Sequence, residues 1–254
     1  MTSIFDSKEF NQNLFFPRDD SNKNPESADE IFVEVGPNCK VHVRHHLSSK
    51  AKFSILFFHG NGEIISDYDG LAKYFTSLGC ELIVCDYRGY GRSDGKPTLR
   101  SALKDASTIY CFLRSNKILK SLVCVMGRSL GSAPAIELCV RFSDISCCIL
   151  ESGFADPIPL VERRGLYIDK ITNEENQLFN NSEKIRSVTC PILIMHGEED
   201  FLISPQEAKL NYQNAGSKHK ILDILKGVGH NDMMLANGNS YLKCLNNFFE
   251  SVFP

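Results

Sequence analysis

At 254 residues, with 43% hydrophobic side chains and a net charge of −3, the chain has the length and apolar content of one folded α/β domain spanning 1–254. The balanced charge, without a like-charge run, argues against a nucleic-acid partner, and no apolar run approaches the length needed to span a bilayer. Ten cysteines form no Cys-x-x-Cys pair, and Cys85, Cys124, Cys147, Cys148 and Cys190 sit in or beside apolar runs, as reduced thiols packed like small hydrophobes do. With no basic cluster or apolar stretch in Met1 to Phe10, this predicts no signal peptide and a cytoplasmic location.

In chain order, Asp19 to Asp29 is polar and reads as a loop. Ile31 to Val35 and Val41 to His45 are β-rich and flank Gly36-Pro37-Asn38, a hairpin signal. Six short apolar runs follow: Phe53 to Phe58, Glu81 to Cys85, Ser121 to Met126, Ser146 to Leu150, Pro191 to Met195 and Ile221 to Leu225. They show little alternation, as parallel strands covered on both faces do. Leu99, Ala102, Leu103, Ala106, Ile109, Tyr110 and Leu113 repeat with helical spacing behind the cap signal Pro97-Thr98, and Ala133 to Phe142 and Tyr241 to Phe249 look similar. Strands alternating with helices predict a mainly parallel sheet with right-handed crossovers.

Three segments carry the chemistry. Gly127-Arg128-Ser129-Leu130-Gly131 lies between an apolar run and a helical stretch. That strand-turn-helix setting suits a nucleophile on a turn so tight that Gly127 and Gly131 avoid side-chain collisions. His196-Gly197-Glu198-Glu199-Asp200 offers an acid to orient an imidazole. Position favours Asp200, with Glu198 and Glu199 as competitors and Glu151 a further candidate from the preceding strand. Gly227 to Asp232 presents His230 on a glycine-flanked loop as general base, whereas His42, His45, His46 and His219 are expected to face solvent. His45-His46 has no convergent partners at ligand spacing, so no metal is expected, and no cofactor either. Upstream, Phe57-Phe58-His59-Gly60-Asn61-Gly62 ends a strand, and the backbone N–H groups of Asn61 and Leu130 are the best candidates for an oxyanion hole. His59 is expected to brace this loop rather than act as a second base.

These blocks, with Asp86-Tyr87-Arg88-Gly89-Tyr90-Gly91-Arg92-Ser93-Asp94-Gly95-Lys96-Pro97, resemble the α/β-hydrolase superfamily, nearest the single-domain branch that includes protein depalmitoylases. The resemblance runs in order from about Phe53 to the C-terminus. It implies an eight-stranded sheet, Ser129 as nucleophile, Asp200 as acid, His230 as base, and Asn61 and Leu130 as the oxyanion hole. Gly153 to Thr189, where the superfamily places variable caps, has no matching pattern and is expected to form a short cap between the sixth and seventh strands. Its Phe154, Leu160, Leu166, Tyr167 and Ile168 are available to line an acyl pocket. The polar N-terminal region lacks the cysteine cluster that anchors some depalmitoylases to membranes. The expected activity is hydrolysis of carboxylic esters or thioesters, on a small or lipid-like acyl substrate or an acylated protein, with transient membrane contact compatible. A serine peptidase using Glu151, Arg163 and Arg164 to hold peptide ends is the alternative, ahead of a non-catalytic binding protein that keeps the hydrolase pocket.

Overall fold

Ahead of the sheet, a short helix α1 (Lys8–Leu14) begins at Ser7, whose hydroxyl accepts the Phe10 N–H, in the computed structural model, which describes residues 3–22, 25 and 28–253. Seven residues complete too few turns to leave a periodic signal, so the sequence reading misses this helix although Phe10 and Leu14 are buried. The hairpin signal is answered by β1 (Ala28–Gly36) and β2 (Cys39–His46), antiparallel, with Asn38 at φ 53° in the turn.

The rest alternates as expected: β3 (Phe53–Phe58), α2 (Ala72–Thr76), β4 (Cys80–Cys85), α3 (Leu99–Ser115), β5 (Leu122–Arg128), α4 (Ser132–Arg141) and β6 (Cys147–Glu151). Then come α5 (Ile158–Glu162), α6 (Asn173–Phe179), α7 (Asn181–Lys184), β7 (Ile192–Gly197), α8 (Pro205–Asn214), β8 (Lys220–Leu225) and α9 (Met233–Val252). The expected cap signal is real: the Thr98 hydroxyl accepts from Ser101 N–H at 2.9 Å and Ser101 returns the bond. Helix α9 runs well beyond the expected Tyr241 to Phe249, through Gly238-Asn239-Ser240, because burial of Met233, Tyr241, Leu245 and Phe248 outweighs poor local propensity.

Among the described residues eight strands form one sheet, ordered β1-β2-β4-β3-β5-β6-β7-β8. From β4 to β8 all neighbours are parallel, and β2 alone is reversed, running antiparallel to both β1 and β4. Successive residues point to opposite faces. Leu56, Phe58, Val123 and Val125 join α3 and α4 on one side, while Ile55, Phe57, Cys124 and Met126 join α2 and α9 on the other. Both faces are apolar, so the strands read as continuous runs.

All ten cysteines are free thiols, and six of the buried ones lie on β2, β4, β5 and β6. Cys111 alone among them is exposed. His42, His45 and His46 do not face solvent: β2 is an inner strand, and each ring meets a carboxylate, Glu30 at 2.6 Å, Glu81 at 3.3 Å and Asp69 at 3.5 Å respectively. Being neighbours on a strand, His45 and His46 point apart, and no metal-holding group of three or more His, Cys, Asp or Glu occurs among the described residues. No helix among them is long and apolar enough to cross a membrane.

Candidate active site

Parallel strands deliver their loops to one edge of the sheet, and the residues singled out in the sequence lie there. Ser129 leaves the end of β5 at φ 52°, a left-handed conformation that a serine adopts only under constraint. A Cβ on Gly127 would stand 2.1 Å from the Gly131 carbonyl oxygen, and one on Gly131 would stand 2.0 Å from that of Phe58. The flanking glycines are therefore what the turn requires.

Ser129 Oγ lies 3.0 Å from His230 Nε2, and His230 Nδ1 lies 2.6 Å from Asp200 Oδ2. This assigns the tautomer: Nδ1–H donates to the carboxylate, leaving Nε2 to accept from the serine hydroxyl. Asp200 Oδ1 accepts from Leu202 N–H at 2.9 Å and Ile203 N–H at 2.7 Å, and His196 Nε2 stands 3.1 Å from Oδ2. Burial alone would raise the Asp200 carboxyl, but the bonds from His196, His230 and Ile203 outweigh it and hold the group well below the usual carboxylate range. Glu198 and Glu199 are exposed on the same turn and Glu151 faces elsewhere, so of the acids considered only Asp200 meets the imidazole.

After β3, His59 braces its loop as expected. Buried completely, it contacts Asp86 Oδ1 through Nε2 at 3.1 Å and the Gly60 carbonyl through Nδ1 at 2.8 Å. Asn61 is tied down by the N-terminal segment: its amide donates to the Leu14 carbonyl at 2.7 Å, and its oxygen accepts from Phe16 N–H at 2.8 Å and Tyr90 hydroxyl at 2.6 Å.

Arg128, inside the nucleophile turn, is a residue the sequence reading passes over. Its guanidinium pairs with Glu63 and, through Nε at 3.2 Å, with Glu151, and donates to the His230 carbonyl at 3.1 Å and Asn231 Oδ1 at 2.8 Å. Glu63 in turn accepts from Gly60 N–H and Tyr68 hydroxyl, both at 2.7 Å, and Glu151 from Tyr241 hydroxyl at 2.7 Å. One arginine thus joins the Asn61 loop, the His230 loop and β6. An arginine directly after an apolar strand is itself a signal, since a charge so placed must be paired.

Ser129, Leu130, Asn61 and His230 line a cavity of about 370 Å³. Of the five residues expected to furnish an acyl pocket, only Leu160 lines it. Phe154 is fully buried in the core, Leu166 and Ile168 pack against that core, and Tyr167 points to solvent at 80% exposure. The segment between β6 and β7 is fastened down by Phe154, Val161 and Phe179, which leaves the apolar wall to Leu14 and Phe16 from the N-terminal segment and to Phe201, Leu202 and Ile203 after β7. Arg163 and Arg164 complete the rim.

Residues 49–172 and 176–234 match the family described as serine aminopeptidase, S33. The chain is 30% identical over 226 residues to alpha/beta hydrolase domain-containing protein 17B of Homo sapiens, covering 86% of this chain and 69% of that protein. It is likewise 30% identical over 198 residues to protein bem46 of Schizosaccharomyces pombe, covering 75% of this chain and 66% of that protein. An esterase from Pyrococcus furiosus shares the fold, with a TM-score of 0.77 at 17% identity over 95% of this chain and 100% of that one. With the family match spanning most of its length and the sheet of an α/β hydrolase beneath it, the chain belongs to the serine aminopeptidase S33 family of α/β hydrolases.

Proposed function

We propose that the chain is a serine hydrolase that cleaves carboxylic esters or thioesters through an acyl-enzyme on Ser129. The observation that carries this is the unbroken hydrogen-bond series from Ser129 through His230 to a buried, ionised Asp200, at the edge of a cavity with apolar walls. Ser129 Oγ attacks the acyl carbon while His230 Nε2 takes its proton, and Asp200 stabilises the imidazolium that forms. The oxyanion of the tetrahedral intermediate is held by the backbone N–H groups of Asn61 and Leu130. Collapse breaks the bond to the alcohol or thiol, which leaves with the proton from His230, and water then attacks the acyl-enzyme by the same relay. No step requires a metal or cofactor.

Residues 1–254 form one hydrolase domain, with 153–189 as its cap, acting in the cytoplasm on a small or lipid-like acyl substrate or an acylated protein. The peptidase alternative has support in the family's description. It loses its acidic anchor, because Glu151 is occupied by Arg128 and Tyr241 and is not among the residues lining the Ser129 cavity. A pure binder has no use for the serine, imidazole and carboxylate in series.

The test is covalent labelling by a fluorophosphonate probe together with turnover of p-nitrophenyl esters, thioesters and aminoacyl amides. Labelling and ester or thioester turnover are expected in the wild type and absent in Ser129→Ala, with a loss of at least about three orders of magnitude. Turnover confined to amides, or near wild-type ester turnover by folded Ser129→Ala, overturns the proposal.

A further inference from the structure

Arg163 and Arg164 are the exception among the arginines of the chain. Each of the others is ion-paired to a carboxylate, from Arg18 with Asp67 to Arg186 with Glu183. Among the described residues, Arg163 and Arg164 have none. Their polar partners are main-chain carbonyls: Pro159 and Leu202 for Arg163, at 3.1 and 2.9 Å, and Asn13 for Arg164. Arg164 also lies over the Phe16 ring, 4.8 Å from its centre, so the group is held in place without being neutralised. Burial and the neighbouring Arg163 push the Arg164 guanidinium down from its ordinary value, which fits a pair of like charges with no anion between them. Both line the cavity that holds Ser129 and His230. The carboxylate nearest the chemistry, Asp200, is taken up by His230 and the Leu202 and Ile203 N–H groups, and Glu162, exposed like the two arginines themselves, forms an ion pair with neither.

We propose that Arg163 and Arg164 are an anion-recognition site, and that the preferred substrate of this pocket is an acyl ester or thioester carrying a phosphate or carboxylate within reach of the reacting carbonyl. The inference rests on the hydrolase reading and names its substrate class. Two guanidinium groups offer forked donors matched to either oxyanion, and the Phe16, Leu160 and Leu202 wall takes the apolar part.

The experiment compares matched substrates, charged and neutral. The butyryl thioester of 2-mercaptoethyl phosphate against that of 2-mercaptoethanol tests a phosphate on the leaving group; the p-nitrophenyl monoester of adipic acid against p-nitrophenyl hexanoate tests a carboxylate on the acyl side. The readout is the charged-to-neutral ratio of kcat/KM. At least one ratio is expected to exceed about tenfold, to fall toward one in R163Q/R164Q and with added salt, and to be kept only in part in R163K/R164K, which retains the charge but not the fork. Ratios at or below one in the wild type, or a preference that R163Q/R164Q leaves intact, overturn the inference while the serine-hydrolase reading stands. If no substrate is turned over, that reading fails, and the binding constants of the same pairs for Ser129→Ala decide this one: a charged ligand held about tenfold tighter supports it, and equal affinities overturn it.

Discussion

A carboxylate serves a catalytic histidine only if it stays charged while shielded from water, and Asp200 meets both conditions through three hydrogen-bond partners that need its charge. Glu198 and Glu199, two and one residues earlier, stay in solvent, so the choice among three adjacent acids is made by burial rather than residue type. Asp200→Asn is expected to lower kcat for a p-nitrophenyl ester by about four orders of magnitude, because the amide reverses the hydrogen bond that sets the tautomer of His230. Glu199→Gln should leave kcat within about twofold, and Glu151→Gln within about tenfold, since it loosens Arg128 without touching the relay. Steady-state kinetics on the three purified variants checks the order. The meeting of Ser129, His230 and Asp200 was legible because the proposed chemistry requires those residue types at strand ends, and the structure brings the three within hydrogen-bond distance. The buried histidines were not, because their carboxylate partners come from other parts of the chain. His46 is the sharpest case: burial, then Arg44 and His45, push its imidazole down to about 4. The unfolded chain takes up a proton near pH 6.5 that the native state refuses until about pH 4, so this contribution is complete above pH 6.5 and lost as pH falls toward 4. Urea denaturation between pH 7 and 4.5 should show His46→Gln losing on the order of 2 kcal/mol less stability than the wild type.

At the scale of elements, the nucleophile turn is legible because its backbone leaves no room for alternatives. Gly131→Ala would drive a methyl group into the Phe58 carbonyl, and backbone on both sides cannot yield without moving Ser129. A loss of about 3 kcal/mol in urea denaturation is expected, accompanied by loss of fluorophosphonate labelling. The pocket wall was not legible. Helices of five and seven residues, such as α5 and α1, complete too little of a hydrophobic period to be recognised, and side chains such as Phe154 that look available in sequence are consumed by the core. What replaced them came from Phe201, Leu202 and Ile203 after β7 and from the N-terminal segment, whose Leu14 and Phe16 reach the site because Asn61 and Tyr90, far along the chain, hydrogen-bond to that segment.

For the molecule as a whole, the eight-stranded order follows from a run of apolar segments and right-handed connections, and the same double burial that hid the strand alternation also sequestered the thiols. Burial pushes the thiols of Cys80 and Cys244 up to about 12 and that of Cys85 well above its ordinary value, so in the native protein these sulfurs stay protonated, and those of Cys80 and Cys85 are also shut off from solvent. An alkylating reagent at neutral pH therefore meets one exposed position, Cys111, two half-buried ones, Cys190 and Cys244, and a buried reserve of seven that becomes available only when the fold opens. Mass spectrometry after brief iodoacetamide treatment should show one fast adduct on Cys111 in buffer and up to ten in denaturant, with the seven buried thiols following global opening of the sheet. Cysteine placement thus gives the protein a chemical clock: the rate at which masked sulfurs acquire label reads how often the native sheet opens, with no dye, tag or substrate.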